Sequence, residues 1–127
     1  MKVYLSRVFT RLAAREGLTN ANILQAVTEM NKGLIDANLG AGLFKKRIAM
    51  SGGGKRGGWR TLLGFQVEKK AFFLYLYPKN ILDNVKDDEL KALKRLAKYY
   101  LAMKPDEIKA ALQCGELKEV NWDEKEK

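Results

Sequence analysis

SGGGKRGGWRTLLGFQVEKKAFFLYLY, Ser51 to Tyr77, is the most informative part of the chain for its architecture. Gly52, Gly54 and Gly57 match G-x-G-x-x-G in form. A dinucleotide fingerprint requires a helix directly after such glycines. The next residues are WRTLLGFQV, Trp59 to Val67, which are aromatic, β-branched and apolar and predict a strand. Lys55 is followed by Arg56 rather than by Ser or Thr, so a Walker A loop is excluded as well. Glu68-Lys69-Lys70 predicts a tight turn. AFFLYLY, Ala71 to Tyr77, predicts the second strand of a hairpin. Its nearly continuous apolar run fits burial on both faces or an aromatic working face.

Away from the hairpin, the pattern changes from period two to helical spacing. Upstream, LFKKRIAM (Leu43 to Met50) predicts another strand, and Leu34 to Gly42 reads as a connector. Ile23, Leu24, Val27 and Met30 predict a helix capped by Thr19 or Asn20 and ended by Gly33. Ser6 caps an earlier helix that runs to about Glu16, with Gly17 placed to end it. Val3 to Leu5 is a short strand. Downstream, Pro78 stops the hairpin and Asn80 to Lys86 reads as loop. Asp87-Asp88-Glu89 opens a helix that runs to about Met103. Pro105 starts a last helix, which ends near Gln113 with Gly115 as its cap. The order is β-α-α-β-β-β-α-α. It predicts an α+β domain with a small, mostly antiparallel sheet, an N-terminal helical hairpin and C-terminal helices. Residues 1–120 form a single domain in this reading, and 121–127 a charged, mobile tail.

Charge is distributed unevenly along this frame. From Lys45 to Arg60 there are six cations (Lys45, Lys46, Arg47, Lys55, Arg56, Arg60) and no acid. The whole chain of 127 residues carries 24 Lys+Arg against 15 Asp+Glu, a net charge of +9. Clustered positive charge on a small domain points to a polyanion: nucleic acid, an anionic membrane or an acidic protein. Glycines let backbone approach such a partner closely, and Lys and Arg neutralise its phosphates. With no histidine and one cysteine, Cys114, protein-only zinc sites, Ser-His triads and Cys-His pairs are excluded. No cofactor or metal is expected. Arg7 and Arg11 interrupt any signal-peptide core, and AFFLYLY is too short to span a bilayer, so the expectation is a cytoplasmic protein without a membrane partner.

The aromatic residues admit two readings each. Trp59 serves either hairpin packing or base stacking. Tyr75, facing opposite to Leu74 and Leu76, reads as core. Tyr99 and Tyr100 read as packing residues or partner contacts. The Lys91, Lys94, Arg95, Lys98 face reads first as a solvated helix surface and second as a nucleic-acid site.

KKRIAMSGGGKRGGWRTLLGF, then AFFLYLYPKN, then DDELKALKRLA resembles the RelE/HigB group of toxin–antitoxin toxins, in which G-[YW]-R precedes an apolar strand. Glu29-Met30-x-x-Gly33 and Leu39-Gly40 also fit, and the resemblance runs from about Tyr4 to Val120. It implies a compact α+β domain with a concave basic sheet face. It also implies a metal-independent endoribonuclease, an mRNA interferase that enters the ribosomal A site and inhibits translation. The RNA's own 2′-hydroxyl is the nucleophile in that chemistry. The protein supplies orientation, a proton acceptor and stabilisation of charge at phosphorus. A cognate antitoxin protein, mRNA and the ribosome are the implied partners.

By position, Arg60 corresponds to the arginine that neutralises the scissile phosphate. Lys46 and Arg47 fall where the family keeps basic residues near the reacting groups, and Lys79 where it has a basic pair. Lys45, Lys55 and Arg56 are candidate RNA-backbone contacts, and Trp59 and Tyr77 candidate stacking rings. The chain departs from the pattern at Asn80, where the family has arginine, and in DNVKDD, where many members have a tyrosine. Two other readings stay open: a non-enzymatic toxin like the ParE branch, acting on DNA gyrase, and a basic nucleic-acid-binding module without catalysis.

Overall fold

The computed structural model describes residues 1–49, 58–78 and 86–122. Ten elements succeed one another: β1 (Lys2–Ser6), α1 (Arg7–Glu16), α2 (Asn20–Asn31), β2 (Ala37–Gly40), β3 (Leu43–Ile48), β4 (Trp59–Gln66), β5 (Lys70–Pro78), α3 (Asp87–Leu101), α4 (Pro105–Gln113) and β6 (Leu117–Val120). The strands form one sheet in the order β2-β3-β4-β5-β1-β6. Only the β1–β5 pair is parallel among the described strands. The fold is α+β, as the sequence predicts.

Local chemistry sets the helix ends. Ser6 Oγ accepts from Phe9 N–H at 3.0 Å, and Gly17 closes α1 at φ 76°. Thr19 and Asn22 form a reciprocal capping box at the start of α2. Pro105 opens α4 at a position where its missing N–H costs nothing. At the β4–β5 turn, Glu68 N–H donates to Asn31 Oδ1 at 2.8 Å, which ties the hairpin to the end of α2.

Two strands lie where the sequence reading placed none. β2 falls inside the segment read as a connector, and β6 inside the charged C-terminal stretch. Both are four-residue edge strands, too short for a period-two signal to stand out. β6 pairs with β1, and Lys2 Nζ reaches Glu119 across that pair at 3.2 Å. Trp122 is tied down too: its Nε1–H donates to Met1 O at 2.7 Å and its ring packs on the core. Ordered structure thus continues past 120 into the segment read as tail. Residues 123–127 lie outside the described ones.

The sheet has a core on each face. On one, α1 and α2 cover Val3, Leu5, Trp59, Leu63, Phe65, Phe73 and Leu76. On the other, α3 and α4 cover Tyr4, Leu43, Leu62, Phe72, Leu74 and Tyr77. Gly64 lets α3 lie close on β4, because a Cβ there would stand 3.3 Å from Ala97 Cβ. Tyr100 stacks on Phe72 with ring centroids 5.3 Å apart, fixing the C-terminal half of α3. Among the described residues, no helix is long and apolar enough to cross a membrane.

Candidate nucleic-acid site

Strand register assigns each cation to a face, because neighbouring side chains on a strand point to opposite sides. Arg60 on β4 stands opposite Arg47 on β3 and opposite Tyr77 on β5. The next rung on that face joins Lys45, Leu62 and Tyr75. The one after it joins Leu43, Gly64 and Phe72, which α3 covers. Three cations therefore converge at the end of the α3 face, beside two tyrosines whose ring centroids lie 6.1 Å apart.

The electrostatics of this rung are unfavourable as it stands. Arg47 and Arg60 are like charges directly across an antiparallel pair, which destabilises a sheet. Among the described residues, neither forms an ion pair. Arg60 is half-buried, and its Nη1 is buried with no hydrogen-bond partner among the described residues. A buried donor left unmade costs about 1–3 kcal/mol. A phosphate placed against Arg60 would supply the acceptor and offset the Arg47–Arg60 repulsion together, and a guanidinium can grip it with two parallel hydrogen bonds. The Arg47 backbone is held from the side: its N–H donates to Asp36 Oδ2 at 2.6 Å.

Two of the residues expected at the site are on the other face. Lys46 points toward α2 with its side chain only 8% exposed. Its Nζ lies 2.8 Å from Glu29 Oε1 and donates to Leu34 O at 3.0 Å. The hydrogen bond from Lys46, joined by one from Gln25, holds the Glu29 carboxyl below the usual carboxylate range. Trp59 is 2% exposed in the α1/α2 core, and its Nε1–H donates to Glu16 Oε1 at 3.2 Å. The cause in both cases is the alternation of a β-strand, which sets Lys46 apart from Lys45 and Arg47, and Trp59 apart from Arg60. Neither residue meets the Arg60 rung: both side chains enter the α1/α2 face.

Tyr77 is on the expected face but only 7% exposed. Tyr75 is more open, and here the sequence reading needs correcting. The register shifts between Leu62 and Leu63, leaving Leu74 without a cross-strand partner. This bulge turns Leu74 and Tyr75 to the same side, against α3, instead of opposite sides. Strict alternation could not have found Tyr75, whereas counting by two from the core residues Phe44 and Ile48 would have removed Lys46. Asp36 carries no sequence signal of its own. Lys55, Arg56 and Lys79 lie outside the described residues.

Elsewhere, Tyr100 OH donates to Glu116 Oε2 at 2.8 Å, and burial followed by this bond pushes its hydroxyl well above the ordinary tyrosine value. That places Tyr100 among packing residues, away from the cation rung.

No curated protein matches the chain. The family model described as the RelE toxin of the RelE/RelB toxin–antitoxin system matches residues 1–120. That match spans all six described strands and all four described helices, and the chain belongs to the RelE toxin family.

Proposed function

We propose that this toxin is an mRNA interferase that cleaves mRNA at the ribosome and so inhibits translation, with the Arg47–Arg60–Tyr77 rung as its reaction site. The observation that carries the reading is the buried Nη1 of Arg60, unpartnered among the described residues, beside a second arginine. Charged donors held ready and unsatisfied are what a phosphate-stabilising site needs. In the reaction, the 2′-hydroxyl of RNA gives its proton to water as its oxygen bonds to the adjacent phosphorus, and the bond from phosphorus to the 5′-oxygen breaks as that oxygen takes a proton from water. A 2′,3′-cyclic phosphate and a 5′-hydroxyl result. Arg60 neutralises charge that builds on the non-bridging oxygens, Arg47 shares it, and Lys45 holds the neighbouring backbone. Tyr75 offers the more open ring for a splayed base. Lys46 keeps its place in the proposal as a support of β3 rather than as a reacting group.

Family membership implies a cognate antitoxin. A partner that silences the toxin would cover the cation rung, with acidic groups matched to it.

Induced expression of the wild type beside Arg60→Ala, with primer extension on a reporter mRNA, tests the reading. Growth arrest with new mRNA ends, both lost in the variant, is the expected result. Arrest without new ends would overturn the ribonuclease and favour a toxin that acts by binding.

A further inference from the structure

Helix α3 carries Lys91, Lys94, Arg95 and Lys98. At 3.6 residues per turn these four share an arc of about 100°. That arc turns away from Leu93, Leu96, Ala97 and Tyr100, which pack on the sheet. Lys91, Arg95 and Lys98 are exposed. Lys94 is half-buried, its Nζ lying 3.8 Å from where a Cβ would stand on Gly40 in the β2–β3 turn.

The arrangement is self-repelling. Lys91–Arg95 and Lys94–Lys98 are four residues apart, and Lys91–Lys94 and Arg95–Lys98 three apart. At both spacings like charges meet on a helix surface. Among the described residues, none of the four forms an ion pair. The acids of α3 are confined to its first turn, where the helix dipole favours them. An anion laid along the stripe would relieve every one of these repulsions.

On its inner side the helix reaches β5: Leu93, Leu96 and Tyr100 line one cavity together with Leu74 and Tyr75. Lys91 to Lys98 covers about 10 Å at 1.5 Å per residue.

We propose that the α3 stripe is a second RNA-phosphate-binding surface, separate from the cleavage rung, which holds the backbone of a structured RNA while Arg60 acts on another segment. Taking RNA as the polyanion rests on the ribonuclease reading of the Arg60 face.

The test uses a fluorescein-labelled 30-nucleotide stem-loop RNA, titrated at several salt concentrations. In an Arg60→Ala background, Lys91→Gln, Lys94→Gln, Arg95→Gln and Lys98→Gln together should lower the salt slope by about 3 and weaken binding at least tenfold at low salt. The paired variants Lys91→Gln/Arg95→Gln and Lys94→Gln/Lys98→Gln should each give about half that change in slope. The melting temperature should hold or rise, because like-charge pairs are removed. With Arg60 intact, the fourfold variant should cut mRNA on purified ribosomes at the same site, with KM raised and kcat unchanged. An unchanged salt slope overturns the proposal. So does loss of binding to polyglutamate with RNA binding retained, which would assign the stripe to an acidic protein. If induced wild type gives no new mRNA ends by primer extension but the fourfold change still lowers the slope, the ribonuclease reading fails and the surface stands.

Discussion

Lys46 and Arg47 are neighbours on β3, yet their side chains leave the strand in opposite directions. Lys46 enters the α2 face, where Glu29 and Leu34 O use it. Arg47 enters the α3 face, where its partner across the strand is Arg60, another cation. Trp59 and Arg60 on β4 divide in the same way, one bonded to Glu16 in a core and the other carrying a buried donor without a partner among the described residues. On the α2 face polar groups are satisfied, and on the end of the α3 face they are left wanting an anion. A satisfied buried group serves stability, whereas an unsatisfied one costs stability and is kept where a ligand completes it.

Single variants can set the two faces against each other. Trp59→Ala should act most strongly, with a loss of about 3–5 kcal/mol in stability from an emptied core site. Denaturant unfolding measures it, and a neutral result would mean that the indole is not packed as described. Arg60→Ala, one residue along, should leave stability unchanged or slightly higher while lowering RNA cleavage about 10²- to 10³-fold.

Lys46→Met comes next. It removes one partner of a buried pair, a change that costs about 3–5 kcal/mol in full burial. Because the Glu29 side chain is 37% exposed and water screens it, about 2 kcal/mol is expected here. Cleavage per folded molecule should stay within a few-fold of the wild type. Arg47→Gln should lower cleavage about tenfold, since its charge acts from beside Arg60, and thermal unfolding should show no loss of stability.

The weakest effect is on pH dependence. Glu29 is held below its ordinary value chiefly by Lys46, so its stabilising contribution is complete above about pH 4.3. It is lost as pH falls through the lower folded value. Glu29→Gln should flatten that acidic limb of the stability curve and leave the neutral region to shift uniformly. An identical acidic limb in the variant would contradict the ion pair.

Much of the frame was legible in the sequence. The 59–77 hairpin and the four helices follow from period and proline, and the ends of α1 and α2 from Ser6, Gly17, Thr19 and Gly33. β2 and β6 were not legible, because four residues at a sheet edge owe their conformation to a neighbour rather than to their own pattern. Among the candidate site residues, Arg60 and Arg47 share one rung. Lys46 and Trp59 fall on the opposite face, because a run of like residues hides the alternation that divides it. Tyr75 was hidden by a bulge, a feature of pairing that one strand's sequence does not display.

One assay puts both faces to the test together: primer extension on a reporter mRNA after matched expression of the wild type, Arg60→Ala and Lys46→Met. New mRNA ends are expected with the wild type and with Lys46→Met, and none with Arg60→Ala. Cleavage that survives in Arg60→Ala but vanishes in a folded Lys46→Met would place the reaction on the α2 face and contradict the assignment of Arg60.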